Sequence, residues 1–230
     1  MSPGRAGTRG RRRQSGQSLV EFCVVVPTFL FLVLMILQAA LIYRAKATLD
    51  YATFQAARAG ATGRAQVSAM RDALAGGMTP LYTTSTGAAQ VLEARARAQL
   101  DVTAFARIEV LSPTRAAWSR YRERQYDGRY ALPNDSLAFR NAAIDGGSGV
   151  NVQDANILKV KVTYHYPLIV PFVDRVIVGL SDLVSEGESY RPVSMMVVDP
   201  ISGHRRLPIV STAVIRMQSP IYDSSPLPAR

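Results

Sequence analysis

The longest apolar pattern in the chain covers residues 22–42, FCVVVPTFLFLVLMILQAALI, 21 residues without a charge in which Thr28 and Gln38 are the polar interruptions. At about 1.5 Å per helical residue this run matches the roughly 30 Å hydrocarbon layer of a bilayer, and it predicts a transmembrane helix. A core helix of a soluble protein seldom runs so far without a polar face, and the apolar region of a removable secretory signal is shorter, about 7 to 15 residues. The A-x-A-like triplet Ala45-Lys46-Ala47 keeps the cleaved signal open as an alternative. Pro27 lies inside the run, where a missing backbone donor is better tolerated than in water.

Beyond the run, residues 44–61 are rich in alanine and lack proline, so the helix continues out of the bilayer until Gly60 and Gly63 weaken it, as a stalk under a head. Helical spacing of Val67, Met70 and Leu74 predicts a helix over 64–75 that stops at Gly76-Gly77, and Val91, Leu92 and Leu100 predict another over 88–106. Strand signals follow at 108–111, 160–164, 193–198 and 209–217; Asp199-Pro200 and a turn around Ser202-Gly203 make the last two a hairpin.

Residues 141–156 are polar and glycine-rich, hence a surface loop, and their GGSG lacks the lysine of a phosphate loop. The apolar stretch 167–183 is interrupted by Pro171 and Asp174, which favours a buried or surface-docked helix over a second span. The expected fold is α+β: a long N-terminal transmembrane helix continuing into a stalk, then a small extracytoplasmic head with a mainly antiparallel sheet and short helices. Its parts are a basic cytoplasmic leader (1–16), the transmembrane helix and stalk (17–62), the head (63–218) and a proline-rich disordered tail (219–230).

The formal charge of +10 changes meaning once located, because half of it is Arg5, Arg9, Arg11, Arg12 and Arg13, ahead of the apolar run. Arg44 and Lys46 alone follow it closely, so the positive-inside rule leaves the N-terminus in the cytoplasm and the head outside, in the periplasm if there are two membranes. What remains is mildly basic and has no stripe of Lys and Arg with interleaved aromatics, which argues against nucleic acid as a partner. The single cysteine, Cys23, falls in the apolar run, where it reads as a small hydrophobe and cannot form an intramolecular disulfide.

No catalytic motif, cofactor fingerprint or metal-ligand spacing occurs: His165 falls on a strand and His204 in a turn, far apart in sequence. The reading is a non-enzyme without cofactor or metal. The aromatic and arginine cluster at 118–126, WSRYRERQY, admits two readings. One is a solvated face with Trp118 and Tyr121 packed on the head; the other is a contact patch in which Trp118, Tyr121 and Arg122 meet another protein.

Glu21 abuts the apolar run, and an ionisable group there is a functional candidate whose partner has to be named, although a carboxylate at headgroup level also stays solvated. Around it stands Ser15-Gly16-Gln17-Ser18-Leu19-Val20-Glu21-Phe22, a glycine after a basic tail with an acid five residues later. This octet resembles the processing site of type IVb prepilins, which a membrane-embedded prepilin peptidase cuts after the glycine. Here that implies a cut between Gly16 and Gln17. The stretch 16–61 is similar to the N-terminal region of TadE-like and TadG-like minor pseudopilins of the tight-adherence (Flp) pilus system, through Glu21-Phe22, Pro27, Tyr43 and the small-residue run 56–61. Residues 158–171 and 209–218 look like the terminal strands of larger members of that family.

The resemblance implies an inner-membrane minor pseudopilin, assembled through Glu21 and Phe22, with the peptidase, other pilins and pilus-assembly membrane proteins as partners. Two alternatives stand beside it: an unprocessed membrane-anchored periplasmic binding or envelope-scaffold protein, and an extracytoplasmic hydrolase, for which no nucleophile and base are evident.

Overall fold

The computed structural model describes residues 15–85, 87–170, 173, 175–177, 197–200 and 203–229, with side chains from residue 19 onward. The arginines of the leader fall outside these residues.

One helix, α1 (Ser15–Thr62), carries both the apolar run and the alanine-rich stretch without a break. Its 48 residues make a rod of about 70 Å. Leu19, Val20, Phe22, Phe29 and Ile36 lie bare along its first half. From Ala45 onward one face disappears: Ala45, Leu49, Ala52, Ala56, Ala57 and Ala61 are completely buried. Steps of three and four residues place Ala45, Leu49, Ala52 and Ala56 on one stripe, which Ala57 and Ala61 widen toward the end of the helix. This corrects the expected stalk, because the part of α1 beyond the uncharged run is the central helix of the head's core.

α2 (Val67–Met78) returns along α1 and buries Met70, Leu74, Ala75 and Met78. The pair is antiparallel, with Gly60 against Met70 and Gly77 against Ala52. The expected stop at Gly76-Gly77 is overturned, since the helix runs through both glycines. Their use is proximity: a Cβ on Gly77 would lie 2.6 Å from the Cα of Ala52. α3 (Ala88–Phe105) packs through Ala94, Ala98 and Val102, while Val91, Leu92 and Leu100 stay exposed. The expected apolar face is thus the outer one, because small side chains let this helix lie close and larger ones would hold it off.

A four-stranded antiparallel sheet has the order β1-β4-β6-β5, with β1 at Ala106–Ser112, β4 at Ile157–Pro167, β5 at Val197–Val198 and β6 at Arg205–Arg216. In β4 every second residue, Leu158, Val160, Val162, Tyr164 and Tyr166, is buried, and the long β4–β6 ladder pairs Val160 with Ala213. α1 packs on this face of the sheet. The β5–β6 turn closes through Gly203, whose φ of 68° lies in the left-handed region and whose N–H reaches the carbonyl of Asp199 at 2.9 Å. Of the strand expected at 193–198, residues 193–196 lie outside the described residues, as do Ser202 and most of the stretch 167–183.

Between β1 and β4 come α4 (Arg115–Tyr121), a small hairpin of β2 (Glu123–Arg124) and β3 (Tyr130–Ala131), and α5 (Val152–Ala155), which breaks the expected loop at 141–156. The end of the chain differs most from expectation. Ile221 is fully buried and Leu227 nearly so, Ile221 and Leu132 exchange backbone hydrogen bonds, and the N–H of Arg115 donates to the carbonyl of Pro228. Further back, the N–H of Gln218 and the hydroxyl of Ser219 both donate to the carbonyl of Ala61, closing the C-terminal end of α1. The proline-rich tail is therefore a strap, held by backbone bonds and two apolar side chains.

Replacing Gly77 by alanine is expected to force α1 and α2 apart and lower stability by about 2 kcal/mol, in the range for overpacking. A melting temperature unchanged in Gly77→Ala would contradict the close approach.

Candidate functional site

Gly16 and Gln17 lie in the first turns of α1, and Glu21 follows Gln17 by four residues on the same continuous helix. Positions i and i+4 share a helix face, so an ammonium at residue 17 and the Glu21 carboxylate would be neighbours. Glu21 and Phe22 are exposed, and nothing in the described head approaches them. Pro27 has no N–H for the carbonyl of Cys23, and Thr28 Oγ1 donates to the carbonyl of Val24 at 2.8 Å.

The bare surface of α1 does not end with the uncharged run. Tyr43, Tyr51 and Phe54 are 77%, 59% and 48% exposed, on the side of α1 away from Ala45, Leu49 and Ala52. Gln55 Nε2 donates to the Tyr51 hydroxyl at 2.9 Å. Three exposed aromatics on one helix are an unusual expenditure of apolar area in water, and such patches mark contact surfaces.

The cluster at 118–126 is divided between inside and outside. Trp118 is buried, and its indole N–H donates to the carbonyl of Ile221 at 2.8 Å; the hydroxyl of Tyr121 donates to the carbonyl of Val150 at 2.8 Å. Both residues hold the strap and the loop before α5 to α4. The Arg122 guanidinium lies over the rings of Trp118 and Tyr130, 5.1 and 5.4 Å from their centres. A contact patch here would have to use Arg122 and the fully exposed Tyr126 instead of Trp118.

A buried polar centre that the sequence reading did not anticipate joins α3 to the sheet. Arg206, at the start of β6 and only 5% exposed, donates to Asp101 Oδ1 and Asp199 Oδ2, each at 2.9 Å, and to the carbonyl of His165 at 3.0 Å. Its guanidinium stacks 3.5 Å from the centre of the Phe105 ring. The other oxygen of Asp101 accepts from the hydroxyls of Tyr82, at 2.6 Å, and Tyr164. Burial by itself would lower the pKa of Arg206, but its bonds to Asp199 and Asp101 outweigh that and raise it. Both tyrosines are pushed well above their ordinary range, first by burial; the Asp101 carboxylate adds to this, joined for Tyr164 by the neighbouring Tyr82. One arginine thus bridges two carboxylates, and the arrangement is a fastening between elements.

The signal for Asp101 was present, because it shares a helix face with Ala94, Ala98 and Val102. Arg206 beside Arg205 gave none. His165 Nδ1 lies 3.1 Å from the carbonyl of Phe105. Among the described residues no three of His, Cys, Asp and Glu converge as metal ligands would.

Residues 16–58 match the family described as TadE-like protein. The matched part holds Gly16, Gln17, Glu21, Phe22, the whole uncharged run and the exposed aromatics of α1, and it suggests a role in the Tad pilus system. No curated protein and no solved structure matches the chain.

Removing Asp101 leaves Arg206 with a single buried counter-charge, and Asp101→Ala is expected to cost about 3–5 kcal/mol, as breaking a buried pair usually does. Chemical denaturation of the two forms measures the difference. Because the folded-state pKa values of Tyr82 and Tyr164 are raised, their contribution to stability is complete below the ordinary tyrosine value near pH 10 and is lost as pH climbs above it. The melting temperature should fall above about pH 10 in the native chain and fall less steeply in Tyr164→Phe.

Proposed function

We propose that the chain is a minor pseudopilin that takes part in assembling a tight-adherence (Flp-type) pilus. In this reading α1 anchors it in the inner membrane, N-terminus in the cytoplasm and head in the periplasm, and a prepilin peptidase cuts it between Gly16 and Gln17. The observation that carries the reading is the exposed side of α1, which is bare and apolar from Leu19 through the membrane run and beyond it still presents Tyr43, Tyr51 and Phe54, now interleaved with the exposed Arg44, Asp50 and Arg58. A simple anchor has no use for exposed aromatics past the bilayer, whereas a helix packed against sister helices over its whole length does.

The proposed cut places an ammonium at Gln17, one turn from Glu21. Glu21 then has either that ammonium or the equivalent group of a neighbouring subunit as its counter-ion, which lowers the cost of a carboxylate beside lipid. Phe22 and the residues after it supply the apolar contact. Other pilins and pilus-assembly membrane proteins are the partners this surface would meet. An unprocessed membrane-anchored binding or scaffold protein is the competing reading, favoured by the head, since the family match ends at residue 58.

Intact mass of the protein taken from its native membrane separates the two. A mature chain starting at Gln17, abolished in Gly16→Val, is the expected result; a start at Met1 or Ser2 supports the unprocessed anchor. Glu21→Ala is expected to stop pilus production while leaving the melting of the head unchanged, and normal pili from that variant would end the assembly role.

A further inference from the structure

A cavity of about 330 Å³ opens against α1 where its uncharged run ends. Its apolar wall is Leu41 of α1, Leu81 after α2, and Pro167 and Ile169 at the end of β4; Arg44 stands on its border. The size is at the low end for small-ligand pockets, which run from about 300 Å³ upward.

Its position relative to the helix decides what it meets. Twenty helical residues from Phe22 cover about 30 Å and end at Leu41, so Leu41 sits at the edge of the hydrocarbon layer and Arg44 one turn beyond, at the level of lipid headgroups. The head reaches down to the same level, since Gln38 is fully buried and its Oε1 accepts from the N–H of Val170 at 2.9 Å. Ile169, next to that contact, is 55% exposed. In water this is an apolar liability, and at a lipid surface it is not.

The chemistry narrows the occupant. Tyr82, Tyr164 and Tyr166 also line the cavity; the hydroxyls of the first two are already committed to Asp101, which leaves that of Tyr166, on the Arg44 side, as the one tyrosine hydroxyl open to an occupant. Arg44 is the only cation at the cavity among the described residues. Among the described residues its side chain makes one hydrogen bond, to the carbonyl of Pro80 and long at 3.4 Å, so most of the guanidinium fork is open to an anion. An apolar wall with one arginine and the Tyr166 hydroxyl beside it suits an amphiphile with an anionic head and offers little to a polar metabolite, which needs several convergent hydrogen-bonding groups. We propose that the cavity seats one phospholipid of the surrounding bilayer, its phosphate on Arg44 and the upper part of an acyl chain against Leu41, Leu81 and Ile169. The lipid would fix the height and tilt of the head at the membrane surface.

This inference rests on α1 spanning a membrane, and the experiment separates the two. The full chain is tested for retention by membranes under alkaline carbonate, then purified in detergent, delipidated and titrated with phosphatidylglycerol under native mass spectrometry. One retained lipid is expected, with occupancy reduced roughly tenfold in Arg44→Glu and in Ile169→Asp, equivalent to about 1.4 kcal/mol. Arg107→Glu, on the outer face of the sheet, serves as a control that keeps native occupancy, and unchanged melting temperatures show that the variants fold. A membrane-retained chain that binds no lipid, or binds it equally well in Arg44→Glu, overturns the lipid site alone. A chain released by carbonate overturns the spanning helix and the lipid site together.

Discussion

Everything in this molecule depends on one helix serving two solvents. A helix satisfies its backbone donors and acceptors internally, apart from its ends, so α1 can pass from lipid into a packed core with no change in main-chain bonding. The side chains alone record the crossing. In the first half they are large and apolar on all sides; from Ala45 they become small on one side, and that side is where α2 and the sheet rest. Alanine contributes little burial per residue, and its value here is distance. With Ala52 facing Gly77, the two helix backbones approach more closely than branched side chains would allow, and the dispersion contacts of a close-packed interface replace the larger area that leucine would have buried.

The buried charges solve a different problem, which is how to hold α3 to the sheet when its inward face is alanine. Arg206 meets Asp101 from α3 and Asp199 from the β5–β6 turn, so three separate segments share one guanidinium. Desolvating such a group is costly, and the geometry offsets the cost by using the donors in several directions and by stacking the plane on Phe105. The gain over an apolar filler is specificity of placement: leucine would tolerate a range of helix positions, whereas a guanidinium between two carboxylates tolerates few. Tyr82 and Tyr164 complete the shell of Asp101 and extend the same constraint to the turn after α2.

How much of this could be read in the sequence follows from which signals were large. The uncharged run, the alternation in β4 and the α+β class rest on strong periodic contrast between polar and apolar residues, and the structure shows them. The α3 face was misread because hydropathy weights Leu92 and Leu100 above Ala94 and Ala98, while packing favoured the small residues. Gly76-Gly77 was misread for a related reason, since glycine's local preference is to end a helix and its tertiary use here is to let Ala52 approach. The strap at the C-terminus was hidden by its prolines, which forbid regular structure without forbidding burial, and Ile221 and Leu227 are spaced too far apart to show a period. Of the candidate site, Gly16, Gln17 and Glu21 were legible as a motif, while the exposed aromatics of α1 became meaningful only once the opposite face was seen to be covered.

The union of anchor and core has a mechanical consequence. In a protein whose head hangs from a linker, the membrane helix can rotate without turning the head. Here the residues that would transmit rotation, Ala45 through Ala61, are packed against α2 and the sheet. Turning α1 about its axis turns the entire head, and any contact that fixes the rotation of the exposed Tyr43, Tyr51 and Phe54 side also fixes which face of the head looks outward. A subunit held in that way needs no second contact on the head to be oriented. The aromatic side of α1 is therefore the surface on which association can be altered independently of folding, because the alanine side belongs to both.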